Sequence, residues 1–84
     1  MNETYTVSCK TCDSVPCIHF DISGVSAEKA KRMADVGQKA FRDVRITNDN
    51  TGEIMRSIYA DSEWFIQSLQ YGTAIDIMGD IYTE

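Results

Sequence analysis

All three cysteines and the only histidine of this 84-residue chain fall within eleven residues. They follow the spacing C-x2-C-x4-C-x-H and are Cys9, Cys12, Cys17 and His19. Zn²⁺ favours four sulfur or nitrogen ligands in a tetrahedron, and three cysteines with one histidine are a common structural set. Because four protein ligands would leave no open position for a catalytic water, the spacing predicts one structural zinc ion. It predicts no catalytic residue, and we expect that the protein is not an enzyme.

Two other interpretations of the cysteines stay open at this point. Three thiols cannot complete a disulfide framework within one chain, and the N-terminus lacks the basic and apolar regions of an export signal. A redox C-x2-C pair usually opens a helix, whereas this pair follows a predicted strand. The alternatives to zinc are therefore a small thiol redox or metal-handling protein, and cysteines that hold no ligand.

A β-hairpin would have to position the four candidate ligands. Residues 4–9 alternate in period two and predict a strand that ends at Cys9. Residues 17–22 alternate as well, which places Cys17 and His19 together on one face. The opposite face is predicted to meet the core through Ile18, Phe20 and Ile22. We expect the two ligand pairs to meet at the open end of this hairpin, and Ser23-Gly24 to end its second strand.

A helix and a second hairpin are predicted to follow. Ser26 is a favourable N-cap for a helix from Ala27 to about Phe41. Its apolar stripe is Ala30, Met33, Ala34, Gly37 and Phe41. Gly37 costs a helix stability relative to alanine, so we expect close packing against a sheet at this position. Residues 43–48 and 53–60 predict two strands joined by turn-forming residues 48–52.

The last third of the chain is predicted to be mainly helical. Asp61 or Ser62 could cap a helix that runs to about Tyr71, with Gly72 just beyond its end. Residues 73–82 fit a short helix better than a strand. The sequence thus predicts one α+β domain over residues 1–84. It would have a zinc-bound N-terminal hairpin in 1–24, followed in 25–84 by a helix, a second hairpin and one or two C-terminal helices.

The negative charge of the chain is concentrated in this last third. The chain has 13 acidic and eight basic residues, a net charge of −5, and residues 57–84 contain five acids and no lysine or arginine. This balance argues against direct nucleic-acid binding, and no apolar stretch is long enough to span a membrane. The acidic segment could be a solvated face or could bind a protein with a basic surface. The candidate contact residues are Asp61, Glu63, Trp64, Asp76 and Asp80.

The small size, the strand-and-helix order, the hairpin sequence VRITNDNTGEIMRSIY and the acidic tail resemble a family of phage proteins. These are the small acidic type II-A anti-CRISPR inhibitors, and in particular a zinc-containing member of that group. The resemblance implies a monomer in the host cytoplasm that binds a type II RNA-guided effector nuclease and blocks its loading or cutting of target DNA. The alternative is a zinc-stabilised adaptor that binds another cytoplasmic protein.

Overall fold

The computed structural model describes residues 3–11, 18–60 and 65–84, and within them the chain forms a four-stranded antiparallel sheet and two helices. The strand order in the sheet is β2-β1-β3-β4. The predicted α+β class and both hairpins are confirmed. The elements are β1 (Tyr5–Lys10), β2 (His19–Val25), α1 (Ala27–Gly37), β3 (Asp43–Asn48), β4 (Ile54–Tyr59) and α2 (Tyr71–Thr83).

The alternation of apolar and polar residues decides which side of the sheet faces the core. Val7 and Cys9 of β1 are fully buried, and they lie directly opposite Ile46 and Val44 of β3. These residues share the inner face, on which α1 packs. The outer face carries polar residues in the same strands, among them Thr6, Ser8, Arg45 and Thr47.

Strand β2 continues farther than the sequence indicated. Ser23-Gly24 was predicted to end the strand, but β2 runs to Val25. The backbone of Gly24 has a φ of +76°, and the register between β1 and β2 shifts between Tyr5 and Val7. Glycine adopts this positive φ without steric cost, so the strand passes through an irregularity here instead of stopping.

Helix α1 begins as predicted and ends earlier. The Lys29 N–H donates to Oγ of Ser26 at 3.2 Å, which is the expected N-cap. The helix ends at Gly37, whereas the prediction extended it to Phe41. Residues 38–40 form a turn, and Phe41 is still buried. Its ring stacks on Tyr71 at a centroid distance of 5.4 Å, a packing position outside the helix that periodicity alone did not reveal.

Gly37 confirms the predicted close approach of α1 to the sheet. A Cβ atom at this position would lie 3.1 Å from Sγ of Cys9 and 3.5 Å from Cγ2 of Val44. It would also lie 3.8 Å from Sδ of Met78 on α2. The missing side chain therefore lets α1, α2 and the sheet meet at one point in the core.

The connection into α2 differs from the prediction. Phe65–Gln70 form no helix, because the N–H groups of Ser68 and Leu69 donate to the carbonyl of Lys39 at 2.8 and 3.1 Å. The predicted helix start at Asp61 or Ser62 lies outside the described residues. Residues 73–82 are helical as favoured, within an α2 that begins at Tyr71. Gly72 consequently lies in the first turn of α2 and not beyond the end of a helix.

Helix α1 packs on the inner face of the sheet, and α2 packs against α1. Helix α1 contacts β1, β3 and α2, and the buried residues of α2 are Ala74, Met78 and Ile81. Neither of the two described helices is long and apolar enough to cross a bilayer.

Candidate functional site

The structure buries Cys9, the first of the four predicted zinc ligands. Its side chain is 0% exposed and points into the core beneath Gly37. Burial raises the pKa of Cys9 to about 12, and the carboxylates of Asp21 and Asp43 add to the rise. The thiol is therefore neutral at pH 7. Reactive cysteines need the thiolate form and access to solvent, and Cys9 has neither property.

His19 lies on the other side of the sheet. In the β1–β2 pair, Cys9 is opposite Phe20 and Lys10 is opposite His19, so Cys9 and His19 point to different faces. The imidazole is 55% exposed, and its Nε2 atom lies 3.6 Å from Oδ1 of Asp21.

The two described candidate ligands therefore do not fit one zinc ion. Zn–S and Zn–N bonds are about 2.0–2.3 Å long, so two ligands of one ion cannot be separated by the thickness of a sheet. Cys12 and Cys17 lie outside the described residues, and within 3–11, 18–60 and 65–84 no three metal-binding side chains come together. Zinc binding by the four residues stays a prediction, and a shared site would require Cys9 to leave the core.

Helix α2 presents two of the five predicted partner-binding residues. Asp76 and Asp80 are one helical turn apart, and both are exposed. Neither forms an ion pair with another described residue. We call this pair the acidic face of α2. The other three candidates, Asp61, Glu63 and Trp64, lie outside the described residues, and their role stays a prediction.

Two cations of α1, Lys29 and Arg32, bind the C-terminal end of the chain. Arg32 donates two hydrogen bonds to the carboxylate of Glu84, at 2.7 and 2.8 Å. Nζ of Lys29 donates to the backbone carbonyls of Tyr82 and Glu84, at 3.3 and 2.6 Å. The guanidinium lowers the pKa of Glu84, and both cations complement the negative end of the α2 dipole. Glu84 is thus neutralised within the protein, whereas Asp76 and Asp80 are not.

An apolar groove lies between β2 and α2, next to the acidic face. Its volume is about 650 Å³. Ile18, Ile75 and Tyr82 on its walls are 41%, 41% and 51% exposed, which is high for large apolar side chains. We call it the β2–α2 groove, and its lining includes Phe20, Asp21, Ile22, Ile75, Gly79 and Tyr82.

This groove was not predicted from the sequence. Its two walls are more than fifty residues apart in the chain, and each wall alone has the pattern of an ordinary amphipathic element. The available signal was the stripe of Ile75, Gly79 and Tyr82, which is offset on the helix from the buried stripe of Ala74, Met78 and Ile81. A helix with one apolar stripe in the core and a second beside it indicates a further apolar contact.

Strand β2 also has a backbone edge that no other described strand covers. The Thr11 N–H donates to the Ile18 carbonyl at 3.0 Å, so Ile18 points its backbone groups toward β1. Hydrogen bonding alternates along an antiparallel pair, so Phe20 and Ile22 also face β1. The N–H and C=O groups of His19 and Asp21 therefore point outward along the edge of the sheet.

The chain matches no protein-family model, no curated protein and no solved structure. No known relative therefore assigns a role to the β2–α2 groove, to the acidic face of α2 or to Cys9.

Proposed function

We propose that this protein works by binding a protein partner through the acidic face of α2, and that it inhibits that partner without chemistry of its own. The observation that carries the proposal is the pair Asp76 and Asp80, which are exposed and have no cation beside them among the described residues. Two unneutralised carboxylates one turn apart on a rigid helix are complementary to a surface rich in lysine and arginine.

Electrostatic attraction would mainly increase the rate of association with the partner. Charged surfaces of opposite sign steer two proteins together, and salt screens this attraction over about 8–10 Å. The negative charge is local, because residues 1–56 contain eight acids and eight bases that cancel. Of the acids in the last third that the structure describes, Asp76 and Asp80 are unpaired and lie on one helix, which favours docking through that helix.

The resemblance to anti-CRISPR inhibitors makes a type II RNA-guided effector nuclease the first partner to test. Such nucleases hold nucleic acid in a positively charged channel. An acidic protein that binds in or near the channel would compete with the phosphate backbone and so block loading or cutting of target DNA. This action places the protein in the cytoplasm of the host cell and requires no metal or catalytic residue from it.

The test compares two double variants with the same change in charge. Asp76→Asn with Asp80→Asn neutralises the acidic face of α2, and Glu28→Gln with Glu53→Gln neutralises two exposed acids elsewhere. Association with an immobilised effector nuclease is measured at 50, 150 and 500 mM salt, together with inhibition of DNA cleavage. We expect the first pair to slow association by about three- to tenfold at 50 mM salt and to weaken inhibition.

Equal effects of the two double variants, or an affinity that does not change with salt, would contradict the acidic face as the contact. If the unaltered protein fails to bind the nuclease or to inhibit cleavage, the assignment to CRISPR effectors is wrong. Capture of another cytoplasmic protein that depends on Asp76 and Asp80 would then support the adaptor alternative.

A further inference from the structure

The outer edge of β2 and the β2–α2 groove form one continuous surface. The edge offers outward N–H and C=O groups at His19 and Asp21, and the groove beside it is apolar. A row of unpaired backbone groups on an edge strand is a template for pairing with another chain. From this combination we infer that the surface accepts an extended segment of the partner as a fifth strand of the sheet.

The alternation of side chains in such a strand specifies what the segment looks like. Residues paired with His19 and Asp21 would point to the outer face, and the residues between them would point to the inner face, into the groove. The groove is lined by Phe20, Ile22 and Ile75, so the inward residues are apolar. Asp21 is the one charged residue among the described residues of the lining, so a lysine or arginine on the outward side would be its cross-strand neighbour.

Charge also argues for a partner segment and against a second copy of this chain. Asp76 and Asp80 are exposed on the same helix that forms one wall of the groove, next in sequence to Ile75 and Gly79. Two copies that paired through β2 would bring like charges from both molecules together, which is destabilising. A segment in which apolar and basic residues alternate instead places its apolar side chains in the groove and its cations beside Asp21 on the outer face. The inference rests on the proposed function, in that the partner is basic.

The probe is a capped seven-residue peptide that alternates lysine and valine, titrated to about 1 mM against the full chain and followed by NMR. We expect saturable binding, with slower hydrogen exchange at the amides of His19 and Asp21, because these groups would become paired. A peptide in which serine replaces valine has the same charge and no apolar side chains. We expect it to bind at least about tenfold more weakly, since it cannot fill the groove.

Backbone N-methylation separates strand pairing from other modes of binding. In an antiparallel fifth strand, the amides of the lysines would donate to β2 and those of the valines would point to solvent. Methylation of the lysine amides should therefore abolish binding, while methylation of the valine amides should weaken it by less than about threefold. Equal effects of the two methylated peptides would overturn strand addition.

Two glycines of α2 offer a matched pair of protein variants. Neither Gly79 nor Gly72 has a heavy atom within 4 Å of its would-be Cβ position, and both are exposed, so leucine should be tolerated at either. Only Gly79 is in the groove lining. We expect Gly79→Leu to weaken peptide binding at least about tenfold and Gly72→Leu to leave it unchanged.

Undiminished binding by Gly79→Leu, or no binding of the lysine–valine peptide at 1 mM, would overturn the inference. So would a dimer of the free chain in sedimentation experiments whose His19 and Asp21 amides are already protected. These outcomes are independent of the test of the proposed function. Loss of nuclease binding on neutralising Asp76 and Asp80, without peptide binding, would leave the proposed function standing and remove strand addition.

Discussion

Replacing Gly37 by alanine should destabilise the protein, although alanine is the better helix former. The new methyl group would lie 3.1 Å from Sγ of Cys9, closer than carbon and sulfur normally approach. Cys9 is fully buried and has one side-chain torsion, so its sulfur cannot turn away into solvent. The neighbouring Val44 and Met78 contacts, at 3.5 and 3.8 Å, leave little room for α1 to move sideways.

The size of the effect follows from two opposing contributions. Alanine gains up to about 1 kcal/mol over glycine inside a helix, and less at Gly37 because it is the last residue of α1. Overpacking a core by one methyl group costs about 1–3 kcal/mol. We therefore expect Gly37→Ala to lower the free energy of unfolding by about 0.5–2 kcal/mol. In a domain of this size, each kcal/mol corresponds to a Tm decrease of about 4–8 °C.

A double-mutant cycle with Cys9→Ala tests the cause. Removing the sulfur should cost about 1 kcal/mol by itself, since it leaves a small void. In that background the methyl group of Gly37→Ala fills space instead of colliding, so the substitution should become neutral or stabilising. We expect a coupling energy of about 1–2 kcal/mol, measured by urea denaturation.

Gly79→Ala is the control for helix propensity alone. The position is open, so this variant should gain up to about 1 kcal/mol. If Gly37→Ala stabilises the protein as much as Gly79→Ala does, and shows no coupling to Cys9, the close approach of α1 to β1 is wrong.

Three other measurements examine Cys9, the α1–α2 ion pair and the metal. The thiol of Cys9 ionises near pH 8.5 in the unfolded state, whereas its pKa in the folded state is about 12, so the unfolded state loses its proton first. The free energy of unfolding should therefore fall above pH 8.5 by up to about 1.4 kcal/mol per pH unit. Cys9→Ala should lack this slope. Arg32→Ala should lower the free energy of unfolding only slightly at low salt and not at all in 1 M salt, because its pair with Glu84 is half-exposed. Lys31→Ala should leave stability unchanged. If Cys9, Cys12, Cys17 and His19 bind zinc together, elemental analysis should find about one zinc per unaltered chain and much less in Cys9→Ala. Equal zinc in both would remove Cys9 from the ligand set, and zinc near zero in the unaltered chain would end the metal prediction.

The zinc prediction was made from the spacing of the ligands, without knowledge of which residues pair across the β1–β2 hairpin. The spacing brings four suitable residues close in sequence, but a tetrahedral site requires their side chains to converge. The alternation in the second strand correctly placed His19 on the face opposite Phe20. That Cys9 lies opposite Phe20 depends on which residues pair across the hairpin, and pairing is set by the core that both strands share.

Only part of the acidic surface was predicted, because the rest depends on contacts between distant residues. The absence of bases after residue 56 is a property of composition, and the exposure of Asp76 and Asp80 followed from helical periodicity. The ion pair between Arg32 and Glu84 could not be predicted from the sequence, because the two residues are fifty-two positions apart. Which carboxylates remain available to a partner is therefore decided by tertiary contacts.

The sequence by itself determined the features that depend on near neighbours: the strands, the Ser26 cap and the buried stripe of α1. Periodicity and capping act over three or four residues, so they can be evaluated along the chain. The tertiary structure decided the position of β1 between β2 and β3, the displacement of Phe41 from α1, and the burial of Cys9 beneath Gly37. It also formed the β2–α2 groove. These features arise because distant segments compete to bury apolar surface in one small core, and no local pattern records which of them meet.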